Sequence, residues 1–280
     1  MRMIDTHLHT IDLAALPYPW LDDFAPLRKD FSAATYEDEA RRFGVTDALH
    51  MEVDVRVDAI EAETRYVTKL VDRPDSLVRG AISACRPESE DFPRFLERAL
   101  ASGVVHGFRR VLHTQHDDLS ESATFRANTN RLAASGTPFD ICVTTAQLPK
   151  AITLVDACPR VSFVIDHCGI PAIKDGMTES WRDAIAALAK RPHVNLKISG
   201  IIAYASETWR LDDLKPFVEH CVSSFGWDRV VWGSDWPVCT LNGSLSTWVA
   251  ATQALIGGAS LEEREKFLSR NAIRIWRLDR

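Results

Sequence analysis

Eight short, β-branched apolar runs separated by segments of helical spacing constrain the fold of this chain more than any other feature it carries. The runs are MIDTHLH from Met3, DALHMEV from Asp47, LVRGAIS from Leu77, HGFRRVL from His106, FDICVT from Phe139, SFVIDHC from Ser162, NLKISG from Asn195 and VVWGSDW from Val230. Among them lie YEDEARRF, AIEAETRYVTKLVD, FPRFLERALAS, FRANTNRLAAS, WRDAIAALAKR and DDLKPFVEHCVSSF, each with apolar residues at helical intervals. Strands joined through helices pair in parallel, and parallel strands covered on both faces read as nearly continuous apolar runs. Eight such units predict an α/β fold, a (β/α)8 TIM barrel occupying residues 1–280 as one domain. The last helical stretch, FLSRNAIRIW, is expected to close the ring.

Local punctuation agrees with this frame. TYED at Thr35 and SLEE at Ser260 have capping-box spacing, and GTPFD at Gly136 separates a helix from a strand. The stretch from Ile11 to Ala34, with PYPWLDDFAPLRKDF, lacks periodicity and is long for a βα connection, so it is expected to be an ordered active-site loop.

Composition narrows the function classes. A hydrophobic content of 46% with 26% charged residues describes an ordinary globular chain, and a net charge of -6 without a basic stripe argues against a nucleic-acid partner. No run of eighteen apolar residues is present and MRMIDTHLH has no signal-peptide character, so no membrane partner is expected and the expected location is the cytoplasm. Six cysteines without a C-x-x-C pair read as reduced, buried thiols, Cys168 and Cys239 among them.

Residues at the C-terminal ends of barrel strands converge on one mouth. Here those ends carry His7 and His9, Glu52, Arg109 and Arg110, Asp166 and His167, Lys197 and Ser199, and Asp235. Residues two apart on a strand share a face, so His7 and His9 aim at one target. Imidazoles and carboxylates are metal ligands and proton-transfer groups, and their concentration at strand ends points to water activation rather than to mere solvation.

These residues together resemble the amidohydrolase superfamily. HLH after the first strand, HGFRR, FDICV with the following QLP, DHCG, LKISG and GSDWPV are similar to its branch of sugar-lactone hydrolases, the L-fuconolactonase and L-rhamnonolactonase type, to which 2-pyrone-4,6-dicarboxylate hydrolase is related. The resemblance runs from Met3 to about Trp276. It implies a hydrolase that opens a small polar lactone, of the L-fucono-, L-rhamnono- or galactono-lactone kind, in carbohydrate catabolism. It also implies roles: Asp235 as the base that deprotonates the attacking water, His167 as the group that holds the lactone carbonyl, and Arg109 as a substrate contact. FDICVTT lacks the lysine or histidine that a binuclear centre would use, so the implied metal site holds one divalent ion, zinc by ligand type, on His7, His9, Asp235 and Glu52. Some members of that branch work without metal, and metal-independent hydrolysis stays open. So does a hydrolase or decarboxylase of an aromatic-catabolism acid, a pyrone dicarboxylate or muconolactone, which would need a second basic residue beside Arg109. A binding barrel without activity is the third reading, disfavoured by the joint presence of His7, His9, His167 and Asp235.

Several residues carry two readings. Lys197 either touches substrate or sits in an ion pair inside the barrel, and Glu52 either binds metal or pairs with Arg109, since a buried carboxylate needs a partner. His113 and His116 in VLHTQHDD, in the loop after the fourth strand, either touch substrate or stay solvated. Tyr18 and Trp20 can cover an apolar sugar face or anchor their loop, and Trp236 and Pro237 can shape the pocket wall. The C-terminal helix, with Arg274, Trp276 and Arg277, offers a face for a second subunit.

Overall fold

The computed structural model describes residues 1–278. Its centre is one sheet of eight strands in sequence order, every neighbouring pair parallel: β1 Met3–Leu8, β2 Val45–Met51, β3 Val78–Ala84, β4 Val105–Val111, β5 Phe139–Cys142, β6 Phe163–Ile165, β7 Val194–Ser199 and β8 Val230–Gly233. The first and last strands meet through backbone hydrogen bonds from Asp235 N to the His7 carbonyl and from His9 N to the Trp236 carbonyl, both 2.8 Å. The chain is a single-domain (β/α)8 TIM barrel.

Eight helices surround the sheet: α1 Ala33–Ala40, α2 Ile60–Val71, α3 Phe92–Ala101, α4 Ala123–Ser135, α5 Leu148–Ala157, α6 Glu179–Ala189, α7 Leu211–Phe225 and α8 Leu245–Leu255. The sequence reading passes over α5 and α8. The ring is closed by α8, not by FLSRNAIRIW. That segment belongs to α9 Leu261–Glu265 and α10 Asn271–Trp276, joined through a π turn, and it plugs the N-terminal end of the barrel. There Ala272, Ile275 and Trp276 join Ile4, Leu49, Met51, Ile82, Val164 and Val231 in an inner core, and the Trp276 carbonyl lies 2.9 Å from His106 Nδ1 at the start of β4. Trp276 is 1% exposed and packs inside its own chain.

The caps fall partly where expected. Ser260 and Glu263 form the reciprocal capping box, and Gly136 ends α4 in the left-handed conformation at φ 62°. Thr35 does not cap α1. Ser32 does, accepting the Thr35 amide, because the helix begins one turn earlier than TYED suggests. The Ile11–Ala34 segment is ordered, tied back by the Ile11 and Phe31 backbone pair and two 3-10 turns. Among the described residues no helix is long and apolar enough to cross a membrane.

Candidate active site

At the C-terminal mouth a cavity of about 210 Å³ has His9, Arg109, His167 and Asp235 in its wall. His7 lies just beneath, fully buried, its ring centroid 4.9 Å from that of His9 and 4.4 Å from that of His167. Asp235 faces all three histidines: Oδ1 lies 3.6 Å from His7 Nε2 and 3.4 Å from His9 Nε2, and Oδ2 lies 3.6 Å from His167 Nδ1. Neither Asp235 oxygen has a hydrogen-bond partner, and burial pushes this carboxyl well above the ordinary carboxylate range. Burial, reinforced by Lys197 at His7 and by Arg109 at His9, holds both imidazoles well below their usual pKa and therefore neutral. His9 Nδ1 lies 3.0 Å from the Met51 carbonyl, which fixes its proton there and leaves Nε2 as a free lone pair.

The backbone that presents these groups is unusual. Asp235 has φ 56°, and His167 and Cys168 have φ 52° and 56° in the turn after β6. Gly200, itself left-handed at φ 54°, sits against Asp235: a Cβ there would stand 2.2 Å from Asp235 Cβ. Gly233 gives His7 the same room, a Cβ meeting His7 Cβ at 2.7 Å. Asp5 stitches the seam. Its carboxylate accepts the amides of His7 and Ser234 at 3.0 and 2.8 Å and the Tyr36 hydroxyl at 2.6 Å.

Below the floor runs a buried chain of charges. Arg109 donates Nε to Glu52 Oε1 at 2.6 Å and Nη2 to the Glu52 carbonyl at 2.8 Å, while Nη1 lies 3.2 Å from His7 Nε2 and 3.4 Å from Asp166 Oδ2. Lys197 is fully buried between Asp140 Oδ2 at 2.6 Å and Asp166 Oδ1 at 3.0 Å, with Nζ also 3.3 Å from His7 Nδ1. Burial alone would raise Asp166, but Lys197 and its neighbours hold it well below the usual carboxylate value. In Asp140 burial prevails and pushes the pKa up to about 7.

Two sequence expectations are corrected here. Lys197 does not reach the cavity, because two carboxylates hold it within the barrel. Glu52 is not placed as a metal ligand, because one oxygen is taken by Arg109 and the other accepts the Asp54 amide at 2.7 Å. His113 lines the cavity, as does Trp20, whose indole donates to the Val53 carbonyl at 2.9 Å. Tyr18 is buried and anchors its loop, accepting the Asp12 amide, and Trp236 packs against Phe31 and Tyr36 while Pro237 joins the cavity wall. Arg110 pairs with Glu88 away from the site, and His116 is exposed. All six cysteines are free and buried. Asp5, Asp140, Tyr204 and the two glycines escaped the sequence reading, although ISG and WGSD put both glycines beside flagged residues.

Residues 4–278 match the amidohydrolase family. The chain belongs to that family. It is 28% identical over 283 residues to an L-fucono-1,5-lactonase of Burkholderia ambifaria, covering 99% of this chain and 96% of the relative. It is 26% identical to a 4-sulfomuconolactone hydrolase of Rhizobium radiobacter, over 83% of this chain and 75% of that one. A crystal structure of an amidohydrolase from Burkholderia multivorans with bound zinc superposes with a TM-score of 0.88 at 23% identity, over 99% of both chains, which shows a common fold. The names of these relatives describe a lactonase and a lactone hydrolase.

The donor set fits the metal that such a family implies. His7, His9 and Asp235 offer ligand atoms within 4.8 Å of one another, and an unpartnered buried carboxylate facing a free imidazole lone pair is the chemistry a divalent cation takes. The second grouping, His7 with Asp166 and His167, already has Lys197 and Arg109 on its carboxylate.

Proposed function

We propose that this protein hydrolyses a small neutral lactone, a sugar lactone of the fucono-, rhamnono- or galactono-lactone kind, with Asp235 as the base for the attacking water. The observation that carries this is the Asp235 carboxylate, buried at the cavity floor with both oxygens unpartnered. In its ionised form Asp235 takes a proton from water as the water oxygen adds to the lactone carbonyl carbon, and its raised pKa makes that form a stronger base. The tetrahedral adduct collapses by breaking the ring C–O bond, and the departing alkoxide recovers the proton from Asp235, giving the open hydroxy acid. His167 is neutral, burial lowering its pKa to about 4. Its Nδ1 faces both the Ser199 hydroxyl at 2.9 Å and the Ser199 carbonyl at 3.2 Å; in the tautomer that carries the proton on Nε2, with the hydroxyl donating to Nδ1, Nε2–H donates to the lactone carbonyl oxygen. A donor of this kind contributes about 3 to 4 kcal/mol as the oxygen gains charge. Arg109, fixed by Glu52, brings positive charge to the same wall. His7, His9 and Asp235 would hold one divalent cation, zinc by ligand type, which when bound polarises the carbonyl and acidifies water.

The rival acidic substrates meet a physical obstacle. Among the described residues Arg109 is the one Lys or Arg lining the cavity, and its Nε and Nη2 are already on Glu52. A dicarboxylate would bring two charges into a space whose wall already holds Asp54 and Asp235 and includes the apolar Ile11, Leu27, Val53, Val111 and Val238. The test is a pH-indicator assay over a panel of sugar lactones, pyrone dicarboxylate and muconolactones, with and without chelator. Acid release from a sugar lactone, reduced about 10²- to 10⁴-fold in Asp235→Asn, is the expected result. Release only from the carboxylate-bearing lactones would overturn the substrate class, and a near-wild-type rate in Asp235→Asn would place the base elsewhere.

A further inference from the structure

Tyr204 has no part in the hydrolytic scheme, yet it occupies a decisive position. Its ring centroid is 5.9 Å from that of His167, and it is the one described residue in the walls of two separate spaces. On one side is the catalytic cavity of about 210 Å³. On the other is a more open groove of about 440 Å³, lined by Thr144, Thr145, Ile170, Pro171 and Lys174.

The wall that Tyr204 forms is built to stay where it is. It ends the 3-10 turn Ile201–Tyr204, which starts from left-handed Gly200 and is closed by Ala203 N on the Gly200 carbonyl at 2.9 Å. Asn242 Nδ2 clamps the segment from the β8 side, donating to the carbonyls of Ile202 at 3.3 Å and Ala205 at 2.8 Å. Ile201, Ile202 and Ala205 are buried. A ring on a backbone held at so many points acts as a fixed partition, not as a lid.

We propose that Tyr204 selects substrate by size, confining the lactone to a single ring, and that the groove behind it would receive a second ring if the partition were removed. The inference rests on the lactonase reading above. The groove suits a glycosyl substituent: Pro171 and Ile170 give it an apolar side, and the Thr144 and Thr145 hydroxyl oxygens can accept from sugar hydroxyls. Lys174 is exposed and has no ion-pair partner among the described residues. The difference between one ring and two is then steric at Tyr204 rather than a lack of polar partners beyond it.

The experiment compares wild type, Tyr204→Phe and Tyr204→Ala on glucono-1,5-lactone and cellobiono-1,5-lactone, with binding of the two matching 1,5-lactams, which are not hydrolysed, followed by calorimetry. Wild type and Tyr204→Phe are expected to prefer the one-ring lactone by about 100-fold in kcat/KM and to bind its lactam more tightly by a similar factor. Tyr204→Ala is expected to shrink both preferences by about tenfold or more, the gain appearing in KM and lactam affinity for the two-ring compound. An unchanged preference in Tyr204→Ala, or a wild type that accepts both sizes equally, overturns the partition. A loss of preference already in Tyr204→Phe also overturns it, since the hydroxyl and not the ring would then be selecting. Wild-type protein that hydrolyses neither these nor any panel lactone and binds neither lactam fails differently, because it removes the lactonase reading itself.

Discussion

Lys197→Met separates a substrate contact from a structural ion pair more cleanly than any other single change in this protein. Methionine keeps most of the length of the side chain and its apolar character but removes the ammonium, which lies 5.2 Å from the Trp276 ring and between Asp140 and Asp166. Breaking one side of a buried ion pair costs about 3 to 5 kcal/mol, because the charge left behind is uncompensated. Asp140 limits that loss. Burial already raises it to about 7, so without Lys197 it takes up a proton near neutrality and the cost falls toward the lower end, about 3 kcal/mol. Unfolding entropy of about 2.1 cal/mol/K per residue gives roughly 0.6 kcal/mol/K for this chain, so the expected drop in Tm is about 5 °C. The sign with pH follows from Asp140, whose folded pKa lies above its ordinary 3.8. Such a group contributes stability at low pH that is lost as pH rises through the folded value, and loss of Lys197 raises that value further. The deficit of Lys197→Met should therefore be smallest near pH 5 and widen toward pH 8, and adding Asp140→Asn should recover part of it. Calorimetric Tm at several pH values, paired with kcat and KM, decides the matter. The ion-pair assignment predicts a lowered Tm and a loss in kcat as His7 loses a neighbour. An unchanged Tm with a raised KM would refute it and return Lys197 to the substrate.

The other predictions concern the parts of the barrel that hold the site. Glu63 in α2 accepts the Val53 amide with one oxygen and leaves the other unpartnered, and burial pushes its pKa up to about 8. Its folded pKa is raised, so wild-type stability declines from about pH 4.5 to about pH 8. Glu63→Gln should open a stability advantage over that window, on the order of 3 kcal/mol at pH 7 by denaturant titration; curves that stay parallel across the window would contradict this. Gly200→Ala must place a Cβ 2.2 Å from that of Asp235 at a left-handed φ, which costs about 1 to 2 kcal/mol from the backbone alone. Activity is expected to fall with stability, and an alanine variant with wild-type kcat would show that Asp235 does not need its present position. His9→Ala should weaken zinc binding, measured by calorimetry on chelator-stripped protein, by more than the 10- to 100-fold typical of an outer-shell partner, whereas Glu52→Gln should stay within that range; the reverse order would restore Glu52 as the ligand.

How much of this was legible in the sequence depends on which physics each feature rests on. The barrel was readable because helix and strand periods differ, and because a polar residue at the end of an apolar strand stands out without knowledge of its partners. Arg109, Asp166, His167 and Asp235 were found on that basis. What alternation gives is a face, not a neighbour. Glu52 and Lys197 each admit two roles in the sequence because their partners, Arg109 and Asp140, lie on other strands 57 residues away. Two limits were conformational. The windows at Ser162 and Val230 ran on past β6 and β8, since nothing in the residue types His167, Cys168 or Asp235 announces a positive φ, a conformation sustained only by its surroundings.

Asp5 shows the sharper limit. It stands two residues before His7, as His7 stands two before His9, so strict alternation would send all three side chains into the barrel. The register of β1 against β2 shifts between Asp5 and Leu8, and the shift changes the phase. Ile4 belongs to the inner core while Met3 before the shift and Leu8 after it both join the outer one, and the Asp5 side chain leaves the His7 ring to reach Tyr36 on α1 and the Ser234 amide. The same irregularity thus delivers His7 to the floor of the cavity and gives Asp5 the seam that carries Asp235. A one-residue slip that left the apolar pattern almost unchanged would separate the base from the histidines it faces. The motif HLH therefore acquires its chemistry from a register shift that its own three letters do not encode.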